Sequence, residues 1–467
     1  MEEVQHGALP ASAGTRAASA YRWRSSGIEP VLRLLGWAIV AAWDRIVVAL
    51  LSVFSGHARR EARLDAWRTR TTRRAVDVLG RLKGVYVKAG QFAGHRHDIV
   101  PGSASGALAA LRDRVMPLPF ERIRPVVESE LGGRIEEWFT EFEPEALGAA
   151  SIAQVHRARL PSGEEVAVKI QYPWLEASLA ADLAIVRSLI RVTSWFRGTS
   201  LIDWEQLFEE FAAGLRGELD FRREAAYASE IAANLSSDAG IVVPTIVASH
   251  SAKRVLTMSY HEAIRISDLE RLGAAGVDMT AVLQIVGRAY ARQVFVDGLF
   301  HADPHPGNLF VLDEPEASTR PRVLFIDFGL SRRLDPALRR EMRQGIYSVI
   351  QRDLDGFIAA MNRMGMIAPD AEADVRESVH AIFVRIADQG GALGVSGSTV
   401  LSLKDEAKTL LQDTPGLQLP NDLLLFAKTV TYVFSLGAEL APDVDMVRLC
   451  LPYLLQFLAE KDREAGA

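Results

Sequence analysis

The sequence predicts an α+β chain of two lobes, a small antiparallel sheet followed by a larger, mostly helical part, with a helical extension ahead of both. Three observations predict it. Apolar residues recur at helical spacing over residues 30–135 and again from 263 onward. Short β-type runs lie between these stretches, around the turn signal Pro161-Ser162-Gly163. Two further runs, HADPHPGNLF (His301–Phe310) and VLFIDFG (Val323–Gly329), interrupt the later helices. With 467 residues, 49 % apolar and 24 % charged, the chain can bury a sizeable core. A net charge of −6 argues against nucleic-acid binding through a basic surface. The single cysteine, Cys450, has no partner for an internal disulfide. It sits in an apolar run, as a small core residue does, and a reducing, cytoplasmic setting follows.

In chain order, residues 1–29 are rich in Ala, Ser and Gly and are expected to be disordered, and their polar start is unlike a secretory signal. Residues 30–74 read as an apolar, then basic, helical segment. Its apolar half, Val31–Phe54, carries Arg33, Asp44 and Arg45. The uncharged pieces are shorter than the roughly 20 apolar residues a spanning helix needs. Three readings stay open: a helix packed on the domain, an interfacial helix, or a broken hairpin in a membrane. The basic half, His57–Arg74, suits an anionic membrane surface or a solvated face. Residues 75–137 continue the extension, and 64–94 reads as one helix with Leu64, Trp67, Val76, Leu79 and Leu82 on its apolar face. Residues 138–262 form the smaller lobe. There Val155–Leu160 and Glu165–Ile170 make a hairpin, 174–235 is a helical insertion, and 243–260 is strand-like. Residues 263–467 form the larger lobe. Within it, 419–440 is apolar but carries Asp422, Lys428 and Glu439, and no uncharged stretch of 18 residues occurs, so a membrane anchor is not expected.

The chemistry-bearing residues form a series. Lys169 lies in the strand VAVKI with apolar neighbours, where an amine is costly unless paired; the bland alternative is an edge lysine. In ELDFRREA (Glu218–Ala225), read as helical, Asp220 and Glu224 share a face, and one acid of this run could hold the Lys169 amine; alone, such a run is a solvated face. Asp327 ends an apolar strand before Phe328 and Gly329, a setting that suits a divalent metal. Asp303 and Asn308 are joined by a Pro- and Gly-bearing loop, so the aspartate can face a substrate while the asparagine oxygen turns to the metal. Lysine, helix acid, Asp303, Asn308 and Asp327 follow the order of the phosphoryl-transfer template of protein kinases. His301 reads as structural, orienting the loop. His95 and His97, in GHRHD, lack partner cysteines for a zinc site.

These words carry a resemblance. KAGQ (88–91), AASIAQVH (149–156), VAVKIQYP (166–173), ELDFRREA (218–225), HADPHPGN (301–308) and VLFIDFG (323–329) resemble the UbiB/ADCK family of atypical kinases, also called aarF-domain kinases, over residues 65–440. The resemblance implies a bilobal, protein-kinase-like fold. It implies that an alanine-rich loop, here Gly148, Ala149, Ala150 and Ser151, replaces the glycine-rich phosphate loop, restrains ordinary kinase activity and favours ADP. Lys88 and Gln91 then mark a helix covering the region where a kinase would bind a peptide, with Glu218 and Asp220 contacting that helix. Glu224 becomes the partner of Lys169, with Glu218 as the alternative. Val155 joins the nucleotide-binding set. Met258 would face the adenine, and backbone groups of Ser259, Tyr260 and His261 its edge.

The resemblance further implies ATP or ADP with Mg²⁺ as cofactors and ATPase-like activity. Lys169 would contact phosphates, Asn308 and Asp327 the metal, and Asp303 the attacking hydroxyl or water. The expected partners are nucleotide, an anionic membrane surface, a lipid or quinone-like small molecule, and a second copy of the chain, with support of isoprenoid quinone or other lipid metabolism as the role. Two alternatives stand beside it. One is a low-turnover nucleotide-binding regulatory scaffold. The other is a small-molecule phosphotransferase of the aminoglycoside or choline type, which lacks the lysine–glutamine helix.

Overall fold

The computed structural model describes residues 28–52, 56–95, 116–197, 204–314, 316–388, 409–411, 414 and 416–460. The expected disorder of 1–29 falls, but for its last two residues, outside this set, as does His97. The chain forms two compact units: residues up to Leu219 with His250–Thr257, and Asp220–Ser249 with Met258 onward.

The first unit opens with a helical pair, α1 (Ile28–Ser52) and α2 (His57–Leu82). The charges that interrupt α1 face neighbours. Arg33 pairs with Glu29 at 2.7 Å, Asp44 with Arg74 of α2 at 2.5 Å, and the Arg45 guanidinium lies 5.7 Å from the Trp67 ring centre. Trp37 Nε1 donates to the Thr71 carbonyl and Trp67 Nε1 to that of Ala41, cross-bonding the two helices. The opposite side of α1 is a stripe at helical spacing, Leu32, Leu35, Ile39, Trp43, Ile46 and Leu50, each at least half exposed. This removes the broken-hairpin reading, because α1 is one continuous helix of 25 residues. It also corrects the length argument, since partnered charges on the packed side leave the apolar stripe whole. By length and composition α1 is one of two helices, among the described residues, able to cross a membrane.

The single helix read over 64–94 is two. The backbone turns at Lys83 and Gly84, both at φ 55°, and α3 (Gly84–His95) departs from there. A Cβ on Gly84 would stand 2.5 Å from Leu175 Cδ2, so the position needs glycine for both its backbone and its neighbour. Val76 and Leu82 are buried as expected, and Leu79 packs with Val76 and Val87. Two short helices, α4 (Phe120–Leu131) and α5 (Ile135–Trp138), precede the sheet. Its strands β1 (Glu141–Ala149), β2 (Ala153–Arg159), β3 (Glu165–Gln171) and β5 (Val255–Ser259) lie in that order. The predicted hairpin is β2–β3, antiparallel, turning at Gly163 with φ 91°. The region 174–235 is three helices, α6 (Leu175–Arg197), α7 (Trp204–Glu218) and α8 (Phe221–Leu235). Tyr86 of α3, fully buried, donates to the Asp182 carboxylate of α6 at 2.9 Å, and Ser178 donates to the same group at 2.7 Å.

In the second unit α8 is followed by β4 (Ile241–Val242). Only residues 255–259 of the expected strand 243–260 form a strand; Ala248–His250 is a 3-10 turn, and Ser251 and Thr257 bond nearby backbone instead of extending a ladder. A second sheet runs β4–β9–β8–β6, built with β6 (Ala263–Arg265), β8 (Leu309–Leu312) and β9 (Val323–Phe325), and β7 (Leu299–Phe300) pairs with β10 (Arg332–Arg333). Around them lie α9 (Leu269–Ala274), α10 (Met279–Ala291), α11 (Pro336–Ile350), α12 (Leu354–Arg363), α13 (Glu372–Asp388), α14 (Asn421–Leu440) and α15 (Met446–Ala459). A core joins Val282, Leu283 and Val286 of α10 to Val311, Val323 and Phe325 of the sheet and Val433 and Phe434 of α14. Cys450 packs against this core, and burial raises its thiol to about 12. Contrary to the sequence argument, α14 is also long and apolar enough to cross a membrane, but Leu423, Leu425, Val433, Phe434 and Leu436 are buried inside the unit.

Candidate functional site

In the first unit Lys169 sits on β3 opposite Val155 of β2, and only 8 % of it is exposed. Alternation along the strand turns Val166, Val168 and Ile170 to one side and Lys169 to the other. The loop after β1 is closely tied. Ala150 N donates to the Ala153 carbonyl at 2.7 Å, Gly84 N to that of Ser151 at 2.9 Å, and the Tyr172 hydroxyl to that of Ala150 at 3.0 Å. The first residue of α3 therefore holds the loop at Ala150 and Ser151, whereas Gly148 and Ala149, expected in that loop, end β1 and pair with Val155 and Gln154 of β2, which corrects the expectation. Gly148 needs no positive φ, and a Cβ there would meet nothing within 4 Å, so alanine fits equally well. Below the loop the Lys83 ammonium stands 4.7 Å from the Tyr172 ring centre and donates to the Met116 carbonyl. Burial lowers Lys83 to about 8 and raises the Tyr172 hydroxyl far above its ordinary value, which keeps that group a donor.

Lys88 of α3 forms an ion pair with Glu218, the last residue of α7, at low exposure on both sides. Gln91 lies three residues on, half-buried. The acidic run is not one helix, which corrects the face assignment. Glu218 ends α7, and Asp220 is the N-cap of α8, accepting from Arg222 N at 3.1 Å and pairing with the Arg222 side chain. The break at Leu219–Asp220 follows from the preference of aspartate for the cap position over the helix interior.

In the second unit the catalytic-loop candidates converge. Asn308 Nδ2 donates to the Asp303 carboxylate and to its carbonyl, both at 3.1 Å, which commits that end of the amide and leaves Oδ1 as its acceptor. The other Asp303 oxygen meets Lys428 Nζ of α14 at 3.1 Å. His301, 1 % exposed, approaches the carbonyls of Ile326 and Asp327 at 3.0 and 2.9 Å through Nε2, lies 3.1 Å from the Tyr290 hydroxyl, and donates its N–H to Gln293. This matches its expected orienting part. Gln293 belongs to a π-helical turn, Arg292–Asp297, placed immediately before the block. Burial, then the nearby Asp303 charge, keep the Tyr290 hydroxyl protonated. Asp327 adopts φ 62°, ψ 74°, a left-handed conformation that costs about 1–2 kcal/mol for a residue with a Cβ. A point beside Gly329 lies 3.4 Å from both Asp327 Oδ1 and Glu224 Oε2, so two carboxylates flank it; Glu224 is 5 % exposed. Asn308 Oδ1 and the Asp327 carboxylate are hard oxygen donors, few in number, as suits Mg²⁺ that keeps phosphate and water ligands.

Met258 bridges Ile246, while Ser259 donates its N–H to Thr245 and accepts from Thr245 N through Oγ, 3.0 Å from His261 Nε2. The Ser259 amide is thus already used, and an adenine edge would find only other backbone groups of Ser259, Tyr260 and His261. Burial, then the nearby Arg322 charge, lower His261, which is neutral at pH 7. Sequence reasoning missed Lys428, Tyr290, Gln293, Lys83 and Tyr172. A lone lysine in the apolar run of α14 was the available signal for Lys428.

The ABC1 atypical kinase-like domain matches residues 110–361. The chain is 31 % identical over 401 residues to the probable protein kinase UbiB of Marinobacter nauticus, covering 84 % of this chain and 71 % of that one. It is 30 % identical over 449 residues to AarF domain-containing protein kinase 1 of Xenopus tropicalis, covering 93 % and 84 %. A solved structure of a Mycobacterium tuberculosis protein in complex with erythromycin aligns with a TM-score of 0.49 at 25 % identity, over 78 % of this chain and 94 % of that one. The domain match over more than half the sequence and the two kinase relatives agree with the loop and strand placements above: the chain belongs to the ABC1/AarF family of atypical kinase-like proteins, with a mixed α+β fold.

Proposed function

We propose that the chain is a Mg²⁺-dependent ATP- or ADP-binding atypical kinase or ATPase. One observation carries this reading: Asn308 donates to the Asp303 carboxylate, the Asn308 carbonyl accepts from Ile326 N, and His301 bonds the Ile326 and Asp327 carbonyls, so one hydrogen-bonded assembly joins the catalytic loop to the backbone of Asp327. Asn308 and Asp327 are the residues that would hold Mg²⁺, whose charge would offset that of the phosphates. Lys169 serves the α/β phosphates. Of the two acids that could balance its amine, Glu218 is already engaged by Lys88. Asp303 orients the attacking hydroxyl or water and takes its proton as the O–P bond forms and the bond to the leaving diphosphate breaks. The contribution is positioning and electrostatics more than covalent chemistry.

The proposed acceptor is a small molecule, lipid or water, and family membership supports a role in isoprenoid quinone or other lipid metabolism. The exposed stripe of α1, beside Arg59, Arg60, Arg68, Arg70, Arg73 and Arg81 on α2, supports peripheral attachment to an anionic membrane surface. Co-sedimentation with anionic liposomes tests this, and binding undiminished after deletion of residues 1–74 would refute it. The alternative, a low-turnover regulatory scaffold, is favoured by the tied alanine loop. ATP hydrolysis with Mg²⁺ separates the two: Asp303→Asn should lower kcat by about 10²-fold or more in an enzyme. A wild-type chain that binds nucleotide without Asp303-dependent turnover is a scaffold.

A further inference from the structure

Resting on the phosphoryl-transfer reading, we propose that Lys428 is a positioning residue of that reaction, its ammonium on α14 fixing the Asp303 carboxylate in the catalytic loop. The two are 125 residues apart in sequence, yet Nζ and Oδ1 lie 3.1 Å apart, with side chains 12 % and 13 % exposed. Asp303 is thereby held at both oxygens, by Lys428 at one and by Asn308 Nδ2 at the other. A carboxylate gripped at both oxygens cannot rotate away from the reacting hydroxyl, which is the condition for positional catalysis.

The rest of α14 keeps the lysine in place. Tyr432, one turn on and on the same face, has its ring centre 6.2 Å from that of His305, so the helix meets the loop at two points. Leu423 and Leu425 pack in one cluster with Ala302, the residue before Asp303. Val433, Phe434 and Leu436 lie in the main core of the unit. An ammonium in so apolar a helix is costly unless a counter-charge meets it, and Asp303 supplies one. The same pair explains why α14, though apolar enough to span a membrane, is a core helix: in a bilayer Lys428 would leave Asp303.

The test measures Mg-ATP hydrolysis and nucleotide affinity for wild type, Lys428→Met, Lys428→Arg, Asp303→Asn and the Asp303→Asn/Lys428→Met double variant, with unfolding midpoints for each. Lys428→Met should lower kcat by about 10–100-fold with the KM for ATP changed less than about threefold, and Lys428→Arg should restore most of the loss. In the Asp303→Asn background Lys428→Met should have no further effect on kcat, because it acts through Asp303. An unchanged kcat, an equal loss in both backgrounds, or a rise in kcat, which would mark the pair as a brake, each overturns the proposal. A wild-type chain with no turnover overturns the phosphoryl-transfer reading instead. The pair is then read from unfolding midpoints, where the effect of Lys428→Met must vanish in the Asp303→Asn background for the contact to stand.

Discussion

Substituting Gly84 by alanine tests the junction that ties α3 to the alanine-rich loop. The residue sits at φ +55°, and an added Cβ would lie 2.5 Å from Leu175 Cδ2. The left-handed backbone costs a residue with a Cβ about 1–2 kcal/mol. The steric part is separate, because carbon atoms prefer about 3.5–4.0 Å. Leu175 is 1 % exposed and has no room to swing aside, so overpacking adds about 1–3 kcal/mol. Gly84→Ala should therefore cost about 2–5 kcal/mol in urea unfolding followed by tryptophan fluorescence. Trp174, stacked on Tyr172 at 5.2 Å, reports from next door. In a Leu175→Ala background only the backbone part should survive, about 1–2 kcal/mol. Gly148→Ala, with open space around its Cβ, is the control and should change stability by less than about 0.5 kcal/mol. A Gly84→Ala chain as stable as wild type, or one whose loss is as large without the Leu175 side chain, would refute the reasoning.

Three further outcomes follow from the same packing. Lys88→Ala strips Glu218 of its ion-pair partner at a site of 16 % and 13 % exposure. It should cost about 3 kcal/mol in denaturant unfolding, with part of the loss recovered in the Lys88→Ala/Glu218→Ala chain; strict additivity of the two would count against the pair. Burial depresses Lys83 to about 8 in the folded chain, against about 10.4 when unfolded, so between these values the unfolded chain holds more protons. Stability should rise with pH from about 8 toward 10, with the full penalty present below 8, and Lys83→Met should remove the slope in midpoints measured across that range. Cys450, raised to about 12, should react slowly with iodoacetamide at pH 8 until urea unfolds the chain, and rapid labelling of the native protein would contradict its burial.

Much of the fold could be read from period and punctuation. The β2–β3 hairpin followed from two β-rich runs around Gly163, and the helical insertion from its apolar spacing. The breaks at Lys83–Gly84 and at Leu219–Asp220 were not read, because each depends on a partner far along the chain or on a capping choice that a helical pattern conceals. The charges in α1 misled for a related reason. Counted along the sequence they shorten the apolar run, yet Arg33, Asp44 and Arg45 face partners away from the exposed stripe. Asp303 and Asn308 were legible because their contact is local, five residues apart. Lys428 was not, because nothing in the local sequence tells a lysine which distant carboxylate it meets.

The left-handed backbone at Asp327 bears on how the proposed metal-holding role of this residue should be tested. Alanine there would delete the carboxylate and also place a side chain with no local hydrogen-bonding capacity in a conformation it resists, so lost activity would mix two causes. Asparagine tolerates that geometry and differs from aspartate mainly in charge, which makes Asp327→Asn the cleaner test of the carboxylate. Any gap between the two variants reads out directly how much the shape of the chain at this one residue matters.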